Sequence, residues 1–524
     1  MFDNTKPNAI FLTDNTKDYT LTKTIGTYKL ANELRLAGFE VMVIHHLHVF
    51  SVDEIKQLLS RSISSQTLFV GVSNFFYQPL NQRESWIENK PDLDYNLDAK
   101  KNLDRKEHGA ILPHGYVFND EIVQHISQCN PRCKLVLGGP NAFDGEHIKD
   151  FDFVVLGYAD TAIVNLASHL LHGTDLMQHY RSVYGAIIID DRLAASHDFV
   201  NSVMRYQDHD CILPGETLPI EISRGCIFRC SFCSYPLNGK KKLDHVKQEE
   251  ILYEEFLTNY QQWGVTRYMF SDDTFNDSVD KVEMLYRISQ RLPFELEYWA
   301  YIRLDLMTAH PHTVDLCVQS GLRGIWFGIE TLHQETGAII GKGGNRERMI
   351  NTLRTLKDRY GSKVMLHGSF IFGLPKESLQ SIRSTIAFLL SKDCPLDSAS
   401  TYPLMFQRTA DQRSFSNDIT KDPAKFGYQM LPGVDTEYYP WQNEHLDILQ
   451  ASKLSVFCNT QLEKRSPVSG SLSFELAGLG MSLDFSRNKI LTSQDRSTVH
   501  EQKIARANQY KSLINHALCK STKV

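Results

Sequence analysis

The sequence predicts an α/β protein of two successive units with a small, mainly α C-terminal region. Three observations carry this: strand-like apolar runs alternate with helical periods over residues 8–175, the alternation recurs six times over 216–402, and the pattern weakens after 403. Strands interleaved with helices imply parallel sheets covered on both faces. The first unit, residues 1–180, reads as a doubly wound Rossmann-like domain. Its strands are Ala9–Leu12, Val41–Ile44, Thr67–Val72, Lys134–Leu137 and Phe153–Leu156, with a helix at Tyr28, Leu30, Ala31, Leu34 and Leu36 closed by Gly38, and others near 119–129 and 160–172. Residues 81–107 carry six basic and seven acidic side chains and few large apolar ones, so they read as an inserted surface segment. A linker, 181–215, leads to the second unit, 216–402.

There the strands are Ile220–Ser223, Arg267–Phe270, Leu296–Ala300, Gly324–Gly328, Val364–Ile371 and Ser398–Tyr402. The helices between them are Glu249–Trp263, Val279–Arg291, Pro311–Ser320, Arg346–Tyr360 and Leu379–Leu390. Such a series suits a partial (β/α)6 barrel, whose chemistry gathers at the C-terminal strand ends. Residues 403–524, with a helix expected at Trp441–Phe457, read as a cap over the substrate. The last 24 residues hold five Lys or Arg and one Glu, a solvated helix end or a contact for an anionic partner.

Composition narrows the partners. The 524 residues carry a net charge of −6, from 56 basic and 62 acidic side chains, which offers no bulk attraction to nucleic acid or an anionic membrane. No apolar run approaches the roughly 18 residues of a membrane span, and the start lacks a basic segment followed by an apolar one. The expected location is the cytoplasm.

Ten cysteines are present, and three fall within eight residues: Cys226, Cys230 and Cys233. In a long chain without a secretory leader a disulfide framework is not expected, so the triplet reads as a metal or redox site. Structural zinc closes four ligands, and no fourth partner at suitable spacing accompanies these. On a four-iron cluster, three thiolates leave one iron open to a substrate or cofactor. Cys129 and Cys133 share a CxxxC spacing without a third partner and read as structural.

The stretch Cys226-x-x-x-Cys230-x-x-Cys233, with Phe232 before the last cysteine and the loop following the first barrel strand, resembles the signature of radical SAM enzymes. The resemblance implies a [4Fe-4S] cluster on Cys226, Cys230 and Cys233 whose open iron takes S-adenosylmethionine (SAM), reductively cleaved to a 5'-deoxyadenosyl radical. Further elements resemble the family's SAM contacts in order from 220 to about 377. Asp272 and Asp273 occupy the position that meets the SAM amino group, with a helix N-cap before Val279 as the other reading. Arg303 stands where a fork onto a carboxylate is found in similar enzymes, with an ion pair to Asp305 as the alternative. Glu330 matches the ribose motif, and Gly368–Glu377, with Ser369 and Phe372, looks like the adenine-flanking region.

A doubly wound domain ahead of such a barrel is similar to the cobalamin (B12)-binding branch of the family, many members of which are methyltransferases. Ser73, Gly138 and Gly139 then become the expected cobalamin contacts, since paired glycines permit close backbone approach. The DxHxxG motif that supplies a lower cobalt ligand is absent, because no His precedes His45. The leading expectation is cobalamin-dependent C-methylation of a small molecule or peptide, with flavodoxin or ferredoxin as electron donor. The alternatives are cobalamin-independent radical chemistry over a vestigial N-terminal domain, and a non-catalytic iron–sulfur or zinc protein. No second cysteine triplet appears, which argues against a methylthiotransferase. No hydrogen donor or base is assignable.

Overall fold

Four-residue runs such as Ala9–Leu12 and Val41–Ile44 are buried along their whole length, as strands covered on both faces must be. A computed structural model describes residues 6–14, 22–73, 120–139, 148–176, 179–191, 197–233, 237, 239–240, 245–407, 417–431, 438–465 and 493–520. The insertion expected at 81–107 lies outside these residues.

The first unit has strands β1 (Ala9–Leu12), β2 (Val41–Ile44), β3 (Phe69–Ser73), β4 (Lys134–Gly138), β5 (Phe153–Leu156), β6 (His179–Val183) and β7 (Ala186–Asp190). They form one sheet in the order β2-β1-β3-β4-β5-β7-β6, parallel throughout except for the β6–β7 hairpin. The sheet therefore runs past the expected boundary at 180 and takes in residues assigned to a linker. The hairpin was missed because Tyr184-Gly185 is a weak turn signal, although both residues adopt the positive φ that a tight two-residue turn requires. Helices α1 (Ile25–Leu36) and α4 (Asp160–His172) pack together on one face, and α2 (Val52–Ser62) and α3 (Asp120–Cys129) on the other. Ser51 caps α2 through a reciprocal bond pair with Glu54.

The second unit has strands β8 (Thr217–Ile220), β9 (Arg267–Phe270), β10 (Glu297–Ile302), β11 (Leu322–Glu330), β12 (Met365–Phe372) and β13 (Ser398–Pro403). They pair in parallel in simple sequence order, an open six-stranded barrel. Between them run α5 (Glu249–Trp263), α6 (Val279–Arg291), α7 (Leu304–Ala309), α8 (His312–Gln319), α9 (Gln334–Ile339), α10 (Arg346–Tyr360) and α11 (Leu379–Leu390). Side-chain parity sorts each strand. On β10, Tyr298 donates its hydroxyl to Cys317 O on α8 at 3.1 Å, so even-numbered residues face the helices and Trp299 and Tyr301 face the lumen. On β12, Phe370 and Phe372 face the helical layer at 0% and 1% exposure, whereas His367, Ser369 and Ile371 face the lumen.

The C-terminal region divides. A short helix, α12 (Asp418–Lys421), sits against the cysteine loop: Ile419 N donates to Ser231 O at 3.1 Å and Asn417 Nδ2 to Phe232 O at 3.0 Å. The expected helix at Trp441–Phe457 begins later, as α13 (Ile448–Arg465), because Trp441–Gln442 pairs as a short strand with Gln429–Met430. Asn459 and Ser455 of α13 bond Thr401, seating it outside β13. Helix α14 (Ser493–Lys520) leaves the barrel altogether. Its Tyr510, Ile514 and Leu518 are buried with Ile44, Leu59 and Val70 of the first unit, and Tyr510 Oη accepts from His45 N at 2.9 Å. None of the described helices is long and apolar enough to cross a membrane.

Candidate active site

The chain leaves β8 through Glu221-Ile222-Ser223 and turns sharply at Gly225. Its φ of +99°, with Leu237 O 2.4 Å from where a Cβ would lie, admits only glycine there. Cys226 N donates to Leu237 O at 3.1 Å, Gly239 N to Phe228 O at 2.8 Å and Cys233 N to Cys230 O at 3.0 Å. The three thiols thus hang on one bonded loop, Cys226 and Cys230 each 8% exposed and Cys233 partly exposed.

Arg303, from the end of β10, braces this loop. Its Nη1 donates to Cys230 Sγ at 3.2 Å, its Nη2 to Gly341 O at 3.1 Å, and its guanidinium lies 4.0 Å from the Phe228 ring centroid. Its remaining donors fork onto Asp305 at 3.1 and 2.6 Å. Of the two sequence readings of Arg303, the structure supports the ion pair, with its outer face turned to the cysteines.

The Asp272–Asp273 pair separates into two roles. Asp272, 1% exposed, accepts from Ile222 N at 2.8 Å, Ser223 N at 3.2 Å and Ser223 Oγ at 2.7 Å, and meets Lys281 Nζ at 3.4 Å. Its acceptor sites are filled inside the protein, so it anchors the root of the cysteine loop; it does not face a ligand and does not cap α6, whose N-cap is Ser278. Lys281 continues the chain of contacts to Asp277 at 2.7 Å, and Asp277 to His245 at 3.0 Å. Asp273 differs: its Oδ2 is buried with no hydrogen-bond partner, and burial, with the charges of Asp272 and Glu221, lifts its carboxyl to about 7. An incoming ammonium would satisfy both the orphaned oxygen and the displaced titration.

Glu330 closes β11 with φ +64°, a left-handed conformation that disfavours most side chains and follows a bulge between Gly328 and Glu330. Its carboxylate folds back over Gly328, where an added Cβ would lie 2.7 Å from Oε1. Lys342 stands beside it at 3.6 Å while donating to Gly328 O at 2.7 Å. Burial raises the Glu330 carboxyl, partly offset by Lys342. Glu377 accepts from Thr331, Gly373 and Leu374 and so staples the ends of β11 and β12. Ser369 faces the lumen; Phe372 is buried at 1% exposure, and its neighbour Ile371 holds the lumen position. Phe232 packs against the core beneath the third cysteine.

The first unit reaches this site through Arg224. Its Nη1 pairs with Asp160 of α4 at 2.5 Å and its Nη2 with Glu221 at 2.9 Å, and the guanidinium lies 4.5 Å from the Tyr158 ring centroid. The C-terminal end of β5 is thereby held against the loop after β8. Ser73 and Gly138 sit opposite each other at the same end of β3 and β4, and Gly139 follows with φ +108°. Among the described residues, a Cβ at Gly138 would meet Val155 O alone, at 3.9 Å, an ordinary contact distance.

Sequence reasoning missed Lys281, Lys342 and the Arg224–Asp160 bridge. Lys281 was the most visible, being a lysine on the apolar face of α6 four residues after Asp277. Among the described residues, a cavity of about 960 Å³ opens at the opposite, N-terminal ends of the barrel strands, lined by Arg267, Glu297, Trp299 and Arg323, remote from the cysteines. Among the described residues, the ligand-type atoms that converge within 4.8 Å are those of Glu33, Asp160 and His197.

Residues 220–389 match the family model of the radical SAM superfamily. An uncharacterised methyltransferase of Pyrococcus horikoshii is 29% identical over 172 residues, 33% of this chain and 36% of that protein, so the chain spans little more than a third of this relative. The radical SAM methyltransferase TsrM of Kitasatospora setae, solved with its tryptophan substrate and a SAM analogue, aligns over 82% of this chain and 79% of its own with a TM-score of 0.55 and 16% identity. The cobalamin-dependent SAM radical enzyme OxsB, solved with aqua-cobalamin, aligns over 99% and 80% with a TM-score of 0.55 and 12% identity. The cysteine loop thus stands at the head of the segment, residues 220–389, that matches the radical SAM family model, and the fold of the chain is similar to those two structures.

Proposed function

We propose that this chain is a radical SAM enzyme that transfers a methyl group to carbon with the help of cobalamin. The observation that carries the reading is the pairing of a three-thiol loop with Asp273 on the neighbouring strand end, whose Oδ2 is buried with no hydrogen-bond partner. When bound, a [4Fe-4S] cluster with SAM supplies a 5'-deoxyadenosyl radical, and cobalamin supplies a methyl carrier. Cys226, Cys230 and Cys233 would hold the cluster, and Arg303 would shield it by covering Cys230 with a cationic donor. Asp273 would accept the SAM ammonium, with Glu330, Ser369 and Ile371 around the remaining cofactor. Residues 1–180 would hold cobalamin at Ser73, Gly138 and Gly139, and α12 would close over the cysteine loop. A reductant of the flavodoxin or ferredoxin class is the expected partner.

The cobalamin arm has its own test. Full-length chain incubated with hydroxocobalamin and desalted is expected to retain an equimolar corrin, seen in its visible spectrum. Gly138→Leu, which fills the end of β4, is expected to lose at least tenfold in retention without a change in melting temperature. Absence of retention by the unaltered chain would leave radical chemistry without cobalamin.

A further inference from the structure

Three ligand-type side chains outside the cysteine site meet where the first unit leads into the second. Glu33 stands in the last turn of α1, Asp160 opens α4, and His197 lies in the segment that follows β7. One ligand atom from each falls within 4.8 Å of the other two. The packing of α1 against α4 brings the two carboxylates to one place, and the chain returns to them after the β6–β7 hairpin.

Asp160 Oδ1 and His197 Nε2 are both shut off from solvent, and neither has a hydrogen-bond partner among the described residues. They face each other at 3.6 Å, too far for a hydrogen bond between them. Asp160 as a whole is 2% exposed, so an oxygen left unpaired there carries a desolvation cost that a ligand would remove. A tetrahedral zinc ion, with bonds of about 2.0–2.1 Å, sets neighbouring ligand atoms about 3.4 Å apart, close to the separation found.

The surroundings hold these groups in place. The other oxygen of Asp160, Oδ2, takes Arg224 Nη1 at 2.5 Å, and Glu33 Oε1 takes Lys29 Nζ at 2.9 Å. Carboxylates that ligate metals are fixed by outer partners of this kind. Glu33, Asp160 and Glu221 against Lys29 and Arg224 leave one negative charge, so a divalent cation meets net attraction. The Glu33 and His197 side chains are 17% and 20% exposed, which leaves a way in from solvent.

We infer that Glu33, Asp160 and His197 form a site for a divalent cation of the zinc class, with water completing the tetrahedron. An imidazole beside two carboxylates suits zinc and its first-row neighbours better than magnesium or calcium, which take oxygen ligands. The ion ties α1, α4 and the segment at 197 together, and Asp160 passes that constraint through Arg224 to the root of the cysteine loop.

Equilibrium dialysis of the full-length chain against Zn2+, with bound metal counted by elemental analysis, tests this. Because the cysteine loop can also take zinc, the reference protein carries Cys226→Ser, Cys230→Ser and Cys233→Ser. It is expected to hold one equivalent of zinc and to melt at a higher temperature with the metal than without it. X-ray absorption of that zinc should show nitrogen and oxygen neighbours and no sulfur. On this background His197→Ala and Glu33→Gln are each expected to weaken binding at least about tenfold and to cancel the thermal shift. Should one of them fail to fold, the other decides. In the chain with its cysteines intact, the same two substitutions should remove one equivalent and leave any sulfur-bound zinc in place. A reference protein that binds no zinc, sulfur in the coordination of its zinc, or undiminished binding in a folded His197→Ala or Glu33→Gln protein would overturn the inference.

Discussion

Asp272→Asn is expected to unseat the cysteine loop and lower the stability of the barrel by about 3 kcal/mol or more. The carboxylate is fully buried and receives three donors from Ile222 and Ser223 together with the Lys281 ammonium. An amide cannot accept at its nitrogen, so one of these donors is left unpaired, and the buried Lys281 loses part of its compensating charge. The effect should be read as a fall in melting temperature accompanied by a fall in iron bound after reconstitution, since the loop carries the ligands. Had Asp272 been the SAM contact, the same substitution would weaken SAM binding and leave stability and iron content unchanged. That outcome would return it to the ligand role.

The second large effect belongs to Arg224→Met. The guanidinium is 8% exposed and stands between Asp160, at 2.5 Å, and Glu221, at 2.9 Å. Methionine preserves much of the bulk but strands two carboxylates in a poorly solvated contact, a loss of about 3–5 kcal/mol. Because Asp160 lies on α4 and Arg224 on the cysteine loop, both the junction between units and the loop should suffer. Differential scanning calorimetry is expected to show a lower first transition, and Asp160→Asn added to Arg224→Met should recover part of it, the sign of a direct coupling. An unchanged thermogram for the single variant would show that this bridge does not hold the units together.

What could be read in the sequence follows from which forces are local. The limits of Glu249–Trp263, Val279–Arg291, Arg346–Tyr360 and Leu379–Leu390 coincide with the helices found, because amphipathic period and capping residues act within a few positions. Strand β8 was expected at 220–223 and lies at 217–220: Ile222 and Ser223 are still apolar or small, but they are drawn out of the sheet by Asp272, fifty residues away in sequence. The β6–β7 hairpin and the course of α14 depend on contacts with distant partners. Tyr510 reaching His45 has no counterpart in periodicity.

The candidate site shows the same division. The cysteine spacing was legible because ligands on one loop must be close in sequence. The roles of Asp272 and Asp273 were not separable in advance, since adjacent carboxylates look alike until one is seen buried on Ser223 and the other with an oxygen lacking a partner. Which of Phe372 and its neighbours faces the lumen was not legible for a related reason: the parity of β12 depends on where α11 and α13 pack.

The most direct test of the central claim is reductive SAM cleavage. Full-length chain reconstituted anaerobically with iron and sulfide, then given dithionite and SAM, is expected to release 5'-deoxyadenosine, and Cys226→Ala, Cys230→Ala and Cys233→Ala should each fall to background. Protein that holds a full complement of four-iron cluster yet forms no 5'-deoxyadenosine, or a Cys230→Ala variant as active as the unaltered chain, would contradict it.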